Sequence, residues 1–251
     1  MEIAKYSFLF TMYWIGVYKC VGFLYDKDKG ISTEDTETKI KTKIKTKIKT
    51  KIKTKIKTKI NNRNKIISNL VSFCHASTTV SMAGFNYIFR NYYGANRLMY
   101  GFSTGYFIYD LLNLFFRNDN LTMKLGYSFH HLISLNLLYL LHFNDVYHKY
   151  FVIYGLIELS NLPSYLIYHL MKTKNENKII NSKKKCLEQN LKKYKLSQAI
   201  IYSTIRVPIM GLFGYISTIN NDNSNIILCS YWGLYSLGFF WSYKLWRNIL
   251  K

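Results

Sequence analysis

Along the chain, apolar positions gather into seven runs of about 17 to 24 residues, the length an α-helix needs to cross a bilayer. Their approximate limits are Ile3–Tyr25, Ser68–Phe89, Tyr100–Phe116, Leu125–Phe143, Tyr150–Met171, Leu196–Ile219 and Ile226–Trp246. The first run contains Lys5 and Lys19 but lacks the small-residue cleavage site of a signal peptide, so it is predicted as a helix in its own right. The fold class this predicts is an all-α membrane protein of about seven transmembrane helices. Polar residues inside the runs recur at helical spacing. Tyr154, Glu158, Asn161 and Tyr165 share one face, as do Gln198, Tyr202 and Arg206, then His75, Thr79, Met82 and Asn86, and lastly Tyr106, Asp110 and Asn113. Four such stripes predict a polar cavity shared between helices.

Composition sharpens this picture where averages blur it. The 251 residues are 49% hydrophobic and 17% aromatic, yet the mean hydropathy is only -0.06, because charge is concentrated between the runs. Lys and Arg total 35 against 13 Asp and Glu. Half of the resulting +22 comes from the repeat "TKIKTKIKTKIKTKIKTKIKTKI", Thr38 to Ile60, which holds 11 lysines. Such low complexity predicts a self-repelling linker without a packed core, and a polybasic tract near anionic lipid heads is the alternative. The expected organisation is an N-terminal transmembrane helix over 1–25, a Lys-rich cytosolic linker over 26–64 and a six-helix membrane domain over 65–251. Basic residues also orient the chain. With a lumenal N-terminus, 29 of the 35 fall on the cytosolic side, so the C-terminus is predicted to be cytosolic. The segment from Lys172 to Lys195 reads as a solvated connector, and its near lack of aromatics argues against nucleic-acid binding.

Ionisable residues inside the runs are costly to bury and therefore candidates for function. At 1.5 Å per residue, Asp110 and the His130-His131 pair both lie roughly 9 Å below the cytosolic boundary, and His75 roughly 10 Å below it. Glu158 and Arg206 lie near the middle of a roughly 30 Å core, where opposite charges can pair. Adjacent histidines diverge by about 100° on a helix, so at most one is expected to point straight at the bundle axis. His75, Asp110, His130 and His131 lack the spacing of a metal site, and no metal is expected. Cys20, Cys74, Cys186 and Cys229 show no redox or metal spacing and read as reduced thiols. No phosphate loop, serine elbow or zinc-protease motif occurs.

Taken in order, "SFCHAS", "GYFIYDLL", "HHLISL" and "IELSNLPSYL", followed by an arginine-bearing sixth run, resemble the TLC domain, the family that includes ceramide synthases and translocon-associated membrane proteins. The resemblance covers about Lys65 to Lys251 and implies a first helix outside a six-helix core. It also implies lipid handling in the endoplasmic reticulum or another endomembrane. By that resemblance, His130 or His131 would act as base or transient acyl acceptor and Asp110 would orient an imidazole, with His75, Tyr106, Glu158, Asn161, Tyr202 and Arg206 lining a lipid cavity. The partner implied is a membrane lipid, either a sphingolipid or a fatty acyl chain. The resemblance also implies acyl-coenzyme A as a co-substrate, with no resident cofactor expected. The Asp-x-x-Asp pair of the synthases is absent, Glu158-Leu159-Ser160 standing in its place. A non-enzymatic lipid-binding regulator, sensor or trafficking factor using the same cavity is the alternative.

Overall fold

The computed structural model describes residues 2–28, 46–89, 92–117, 119–143, 150–176, 181–219 and 225–250. Among them the secondary structure is helical throughout. The elements are α1 (Glu2–Asp28), α2 (Thr46–Phe89), α3 (Tyr92–Phe116) and α4 (Leu121–Phe143), then α5 (Tyr150–Leu159), α6 (Leu162–Glu176), α7 (Asn181–Ile201), α8 (Val207–Ile219) and α9 (Asn225–Leu250). A π-helical turn over Tyr202–Arg206 joins α7 to α8 without a break. The described residues thus form seven rods, one for each apolar run, with α5–α6 and α7–α8 each making a single rod.

Six of the rods close into a ring. Neighbours in order are α2, α3, α4, α9, the α7–α8 rod, the α5–α6 rod, and α2 again. α1 lies outside this ring against α2 and α3. Its seat is close, because a Cβ at Gly105 would collide with the side chain and backbone of Phe10. Trp14 is 1% exposed, donates its indole N–H to the Phe102 carbonyl at 3.2 Å, and meets the rings of His75 and Tyr106 edge-on. A second close approach brings α5 onto α2, where a Cβ at Gly155 would strike that of Ala83.

Both prolines of the chain interrupt a rod. Pro163 has no N–H for the Leu159 carbonyl, and its ring crowds the preceding turn, so α5 ends there. Asn161 bridges the break: its N–H bonds the Glu158 carbonyl at 3.0 Å and its carbonyl accepts from Ser164 N–H at 3.0 Å. Pro208 likewise leaves the Thr204 carbonyl without its α-helical donor, and the helix widens into the π turn just before it. Thr204 Oγ1 turns back to the Ile200 carbonyl at 2.8 Å, which also favours a bend.

One expectation about linkers needs correction. The Lys-Thr-Lys-Ile repeat is not unstructured throughout: α2 starts at Thr46, so the last 15 of the 23 residues from Thr38 to Ile60 are helical, while residues 29–45 fall outside the described part. Lys is a good helix former, and extending an existing helix needs no new nucleus. The basic connector between the fifth and sixth runs is also largely helix, with α6 reaching Glu176 and α7 starting at Asn181. Cys20, Cys74 and Cys229 are free thiols, and the side chain of Cys186 lies outside the described part.

The bundle has its polarity inside out. Phe23, Leu112, Phe129, Leu212 and Phe239 are exposed, while Asp110, His131, Glu158 and Arg206 are buried. Such extensive apolar exposure is unusual for a soluble monomer and suits a lipid surround. By length and composition alone, two stretches among the described residues, Ser7–Lys27 and Glu188–Ile216, are long and apolar enough to cross a membrane, against the seven spans expected. α5 and α6 are each cut short by the break, and the inward polar stripes of α3 and α4 lower their hydropathy.

Candidate functional site

At the centre of the ring is a cavity of about 360 Å³. It is lined by all six rods and extends to the end of the bundle where Lys65, Arg117 and Lys244 stand. Asp119, in the α3–α4 turn, ties the first two of these down: Lys65 Nζ is 2.6 Å from Oδ1 and Arg117 Nε is 2.9 Å from Oδ2. Burial pushes the Asp119 carboxyl up, but the hydrogen bond from Lys65 and the charge of Arg117 outweigh this and hold it below the ordinary carboxylate value.

About two helical turns deeper are Asp110 of α3 and His131 of α4, 8% and 5% exposed, with His131 Nε2 2.9 Å from Asp110 Oδ2. The level placement inferred from helix rise is therefore met by contact. Asp110 Oδ1, His130 Nδ1 and both ring nitrogens of His131 are buried without a hydrogen-bond partner among the described residues, so the 2.9 Å approach of Nε2 to Oδ2 is a close charge contact and not an aligned hydrogen bond. His130 also lines the cavity, although only one of the two was expected to face the axis. α4 sits between α3 and α9, and the 100° between neighbours is split across the cavity. His131 turns toward Asp110, and His130 turns toward Trp241 of α9, whose ring centroid is 5.3 Å away.

The inner end of the chamber is a chain of polar groups. Arg206 Nη1 donates to Asn161 Oδ1 at 2.9 Å, and Asn161 Nδ2 donates to Glu158 Oε2 at 3.3 Å. The sequence allowed Glu158 and Arg206 to pair; in the structure the side chain of Asn161, on the same helical stripe as Glu158, bridges them. The Arg206 guanidinium carbon lies 5.3 Å from the centroid of the Tyr202 ring, so both members of the π turn that the sequence singled out face this region. Arg206 Nε and Tyr202 OH are buried and have no hydrogen-bond partner among the described residues.

Tyr106 lines the chamber and donates to Ser72 Oγ at 2.8 Å. His75, expected on the cavity wall, stands behind it instead. Its ring stacks on Tyr106 with centroids 3.8 Å apart, and its Nε2 is 3.2 Å from Ser103 Oγ, while Trp14 closes the far side. The rotation of α2 turns His75 toward α1 and α3. The sequence reading also passed over Ser68, Ser72 and Trp241, all on the cavity wall. Ser68 and Ser72 show the i, i+4 spacing that could have been noticed, whereas nothing local marks Trp241. Among the described residues no cluster of His, Cys, Asp and Glu forms a metal site.

Below this chamber a second, apolar one of about 60 Å³ continues between α4, α5, α8 and α9. The two share four lining residues, Phe107, His130, Glu158 and Arg206. The family model described as the TLC domain matches residues 65–247, which takes in all six rods of the ring and leaves α1 outside. The chain belongs to the TLC-domain family. No curated protein and no solved structure matches it. As a TLC-domain protein it is a membrane protein of lipid metabolism or homeostasis, and the cavity of this TLC-domain protein is enclosed by helices whose apolar faces point outward.

Proposed function

We propose that this TLC-domain protein is a multi-pass endomembrane protein of membrane-lipid homeostasis that transfers an acyl chain within its central cavity. The observation that carries this reading is the contact of His131 with Asp110 at the polar end of a chamber whose other end is apolar. An amphiphile can place its reacting head at the dyad and its chain below.

In the reaction, the Asp110 carboxylate, 2.9 Å from His131 Nε2, is the charge partner of that nitrogen and leaves Nδ1 as the proton acceptor. Nδ1 takes the proton from an amine or hydroxyl of the lipid as that group attacks the thioester carbonyl of acyl-coenzyme A. The tetrahedral adduct collapses, the carbon–sulfur bond breaks, and the imidazolium returns its proton to the departing thiolate. The products are the acylated lipid and free coenzyme A. The basic end of the chamber, with Lys65, Arg117 and Lys244, favours the anionic co-substrate. A second reading, a lipid-holding regulator or sensor, is favoured by the Glu158–Asn161–Arg206 chain, which can hold a head group without any reaction.

Acyl transfer measured in proteoliposomes, together with native mass spectrometry of retained lipid, tests these readings. His131→Ala is expected to lower transfer by about 10²- to 10⁴-fold, the usual worth of a general base. Asp110→Asn should cost most of that, and the double variant should add little, because the two act as a unit. Strictly additive losses would reject the dyad. A wild-type protein that retains lipid but transfers no acyl group from any thioester supplied would leave the regulator as the function.

A further inference from the structure

We propose that the two chambers join across their shared collar of Phe107, His130, Glu158 and Arg206 and hold one single-chain amphiphile, and that Leu137, Met210, Tyr231 and Leu234 set the length of its chain. This rests on the reading of the cavity as a lipid site and names the class of lipid it takes.

Three observations lead to it. First, the lower chamber is a built apolar pocket and not a packing gap. Leu137, Met210, Tyr231 and Leu234 are each buried and form one cluster, with Ile157 and Phe213 packed around it. A lining this rich in hydrocarbon favours an apolar occupant. Second, among its lining residues the carboxyl, imidazole and guanidinium groups are those it shares with the polar chamber, His130, Glu158 and Arg206, and the rest of the lining is apolar apart from the hydroxyls of Ser134, Tyr154 and Tyr231. A ligand spanning both must therefore change from polar or hydratable to hydrocarbon at that collar. Arg206 Nε and His130 Nδ1 are buried there without a hydrogen-bond partner among the described residues, so the collar offers unused polar atoms to a carbonyl, carboxylate or hydroxyl at the start of the chain. Third, the space is limited. A water-sized group needs about 10 to 15 Å³ of such volume, so 360 Å³ and 60 Å³ together take on the order of 30 non-hydrogen atoms. That fits one chain with a modest head group and is too small for a two-chain phospholipid. The lower chamber by itself takes roughly four water-sized groups, the terminal carbons of the chain.

Purified full-length protein in nanodiscs, offered an equimolar mixture of lauric, palmitic and arachidic acid in a dioleoylphosphatidylcholine bilayer, is read by native mass spectrometry. One fatty acid per chain is expected, with the diacyl lipid lost at low collision energy. Leu234→Ala opens the end of the lower chamber and should shift the preferred acid to a longer one; Leu137→Phe should shift it to a shorter one. Where Leu234→Ala fails to fold, the milder Met210→Val tests the same enlargement. The proposal is overturned by a tightly held diacyl lipid in place of the fatty acid, by absence of any fatty-acid adduct, or by one unchanged preference order in folded variants of both kinds. The dyad is scored separately. A shift in chain length with His131→Ala silent in acyl transfer rejects the acid–base reading and leaves the chain pocket, and the converse rejects the pocket alone.

Discussion

Asn161 shows how much one side chain can decide in this protein. Its amide oxygen accepts from Arg206 and its amide nitrogen donates to Glu158, so two buried charges of opposite sign are held in one chain of hydrogen bonds without touching. A buried charge without such partners would cost several kcal/mol. Asp119 does the corresponding work at the basic end, where it binds Lys65 of α2 and Arg117 beside α3. Because its carboxyl is held below the unfolded value of about 3.9, the stabilisation is complete above that pH and is lost as pH falls through the folded value. Asp119→Asn should therefore cost about 1 kcal/mol at neutral pH, and the gap from wild type should close on acidification. Thermal unfolding of detergent-solubilised protein across that range checks it. A gap that persists unchanged in acid would mean that packing, not charge, holds the turn.

At the scale of elements, the two prolines mark the breaks in regular helix. A continuous α-helix through 150–176 would keep Asn161 in the regular helical stripe, and one through 181–219 would do the same for Tyr202 and Arg206. Asn161, Tyr202 and Arg206 stay on those inward stripes and meet at the inner end of one chamber, beside the break before Pro163 and within the π turn before Pro208. Pro208→Ala restores the donor for the Thr204 carbonyl and allows the π turn to close into an α-helix. The variant is expected to be at least as stable as wild type, since a proline inside a helix costs about 3 kcal/mol, and yet to retain less lipid. Thermal unfolding and native mass spectrometry measure the two effects. Lower stability with undiminished lipid retention would show that the turn serves packing alone.

For the whole molecule, the ring of six rods explains why polar residues are scattered among seven apolar runs. Each rod contributes one polar face to a common interior and one apolar face to the surround, and α1 braces α3, the rod that carries Asp110, from outside. The basic ends of α2, α3 and α9 meet at one end of the bundle, which charge bias assigns to the cytosol. A protease site inserted in the Lys-rich repeat should then be cut in intact microsomes while an N-terminal tag is protected. Protection of the repeat would reverse the orientation and place the dyad on the lumenal side.

Much of this was legible in the sequence because it depends on local period and length. Seven rods follow from seven apolar runs, since a buried backbone in lipid must satisfy its hydrogen bonds within the helix. The shared depth of Asp110 and His131 follows from helix rise alone, and the inward stripes follow from the 3.6-residue period. What remained for the tertiary structure was rotation and partnership. Which histidine meets Asp110, why His75 stands behind Tyr106 and not on the cavity wall, and how Asn161 comes between Glu158 and Arg206 all depend on how each rod is turned against its neighbours. That turning is set by close contacts far apart in the chain, Gly105 on Phe10 and Gly155 on Ala83 among them. No local pattern encodes such contacts, because the energy that selects them is the packing of the complete ring.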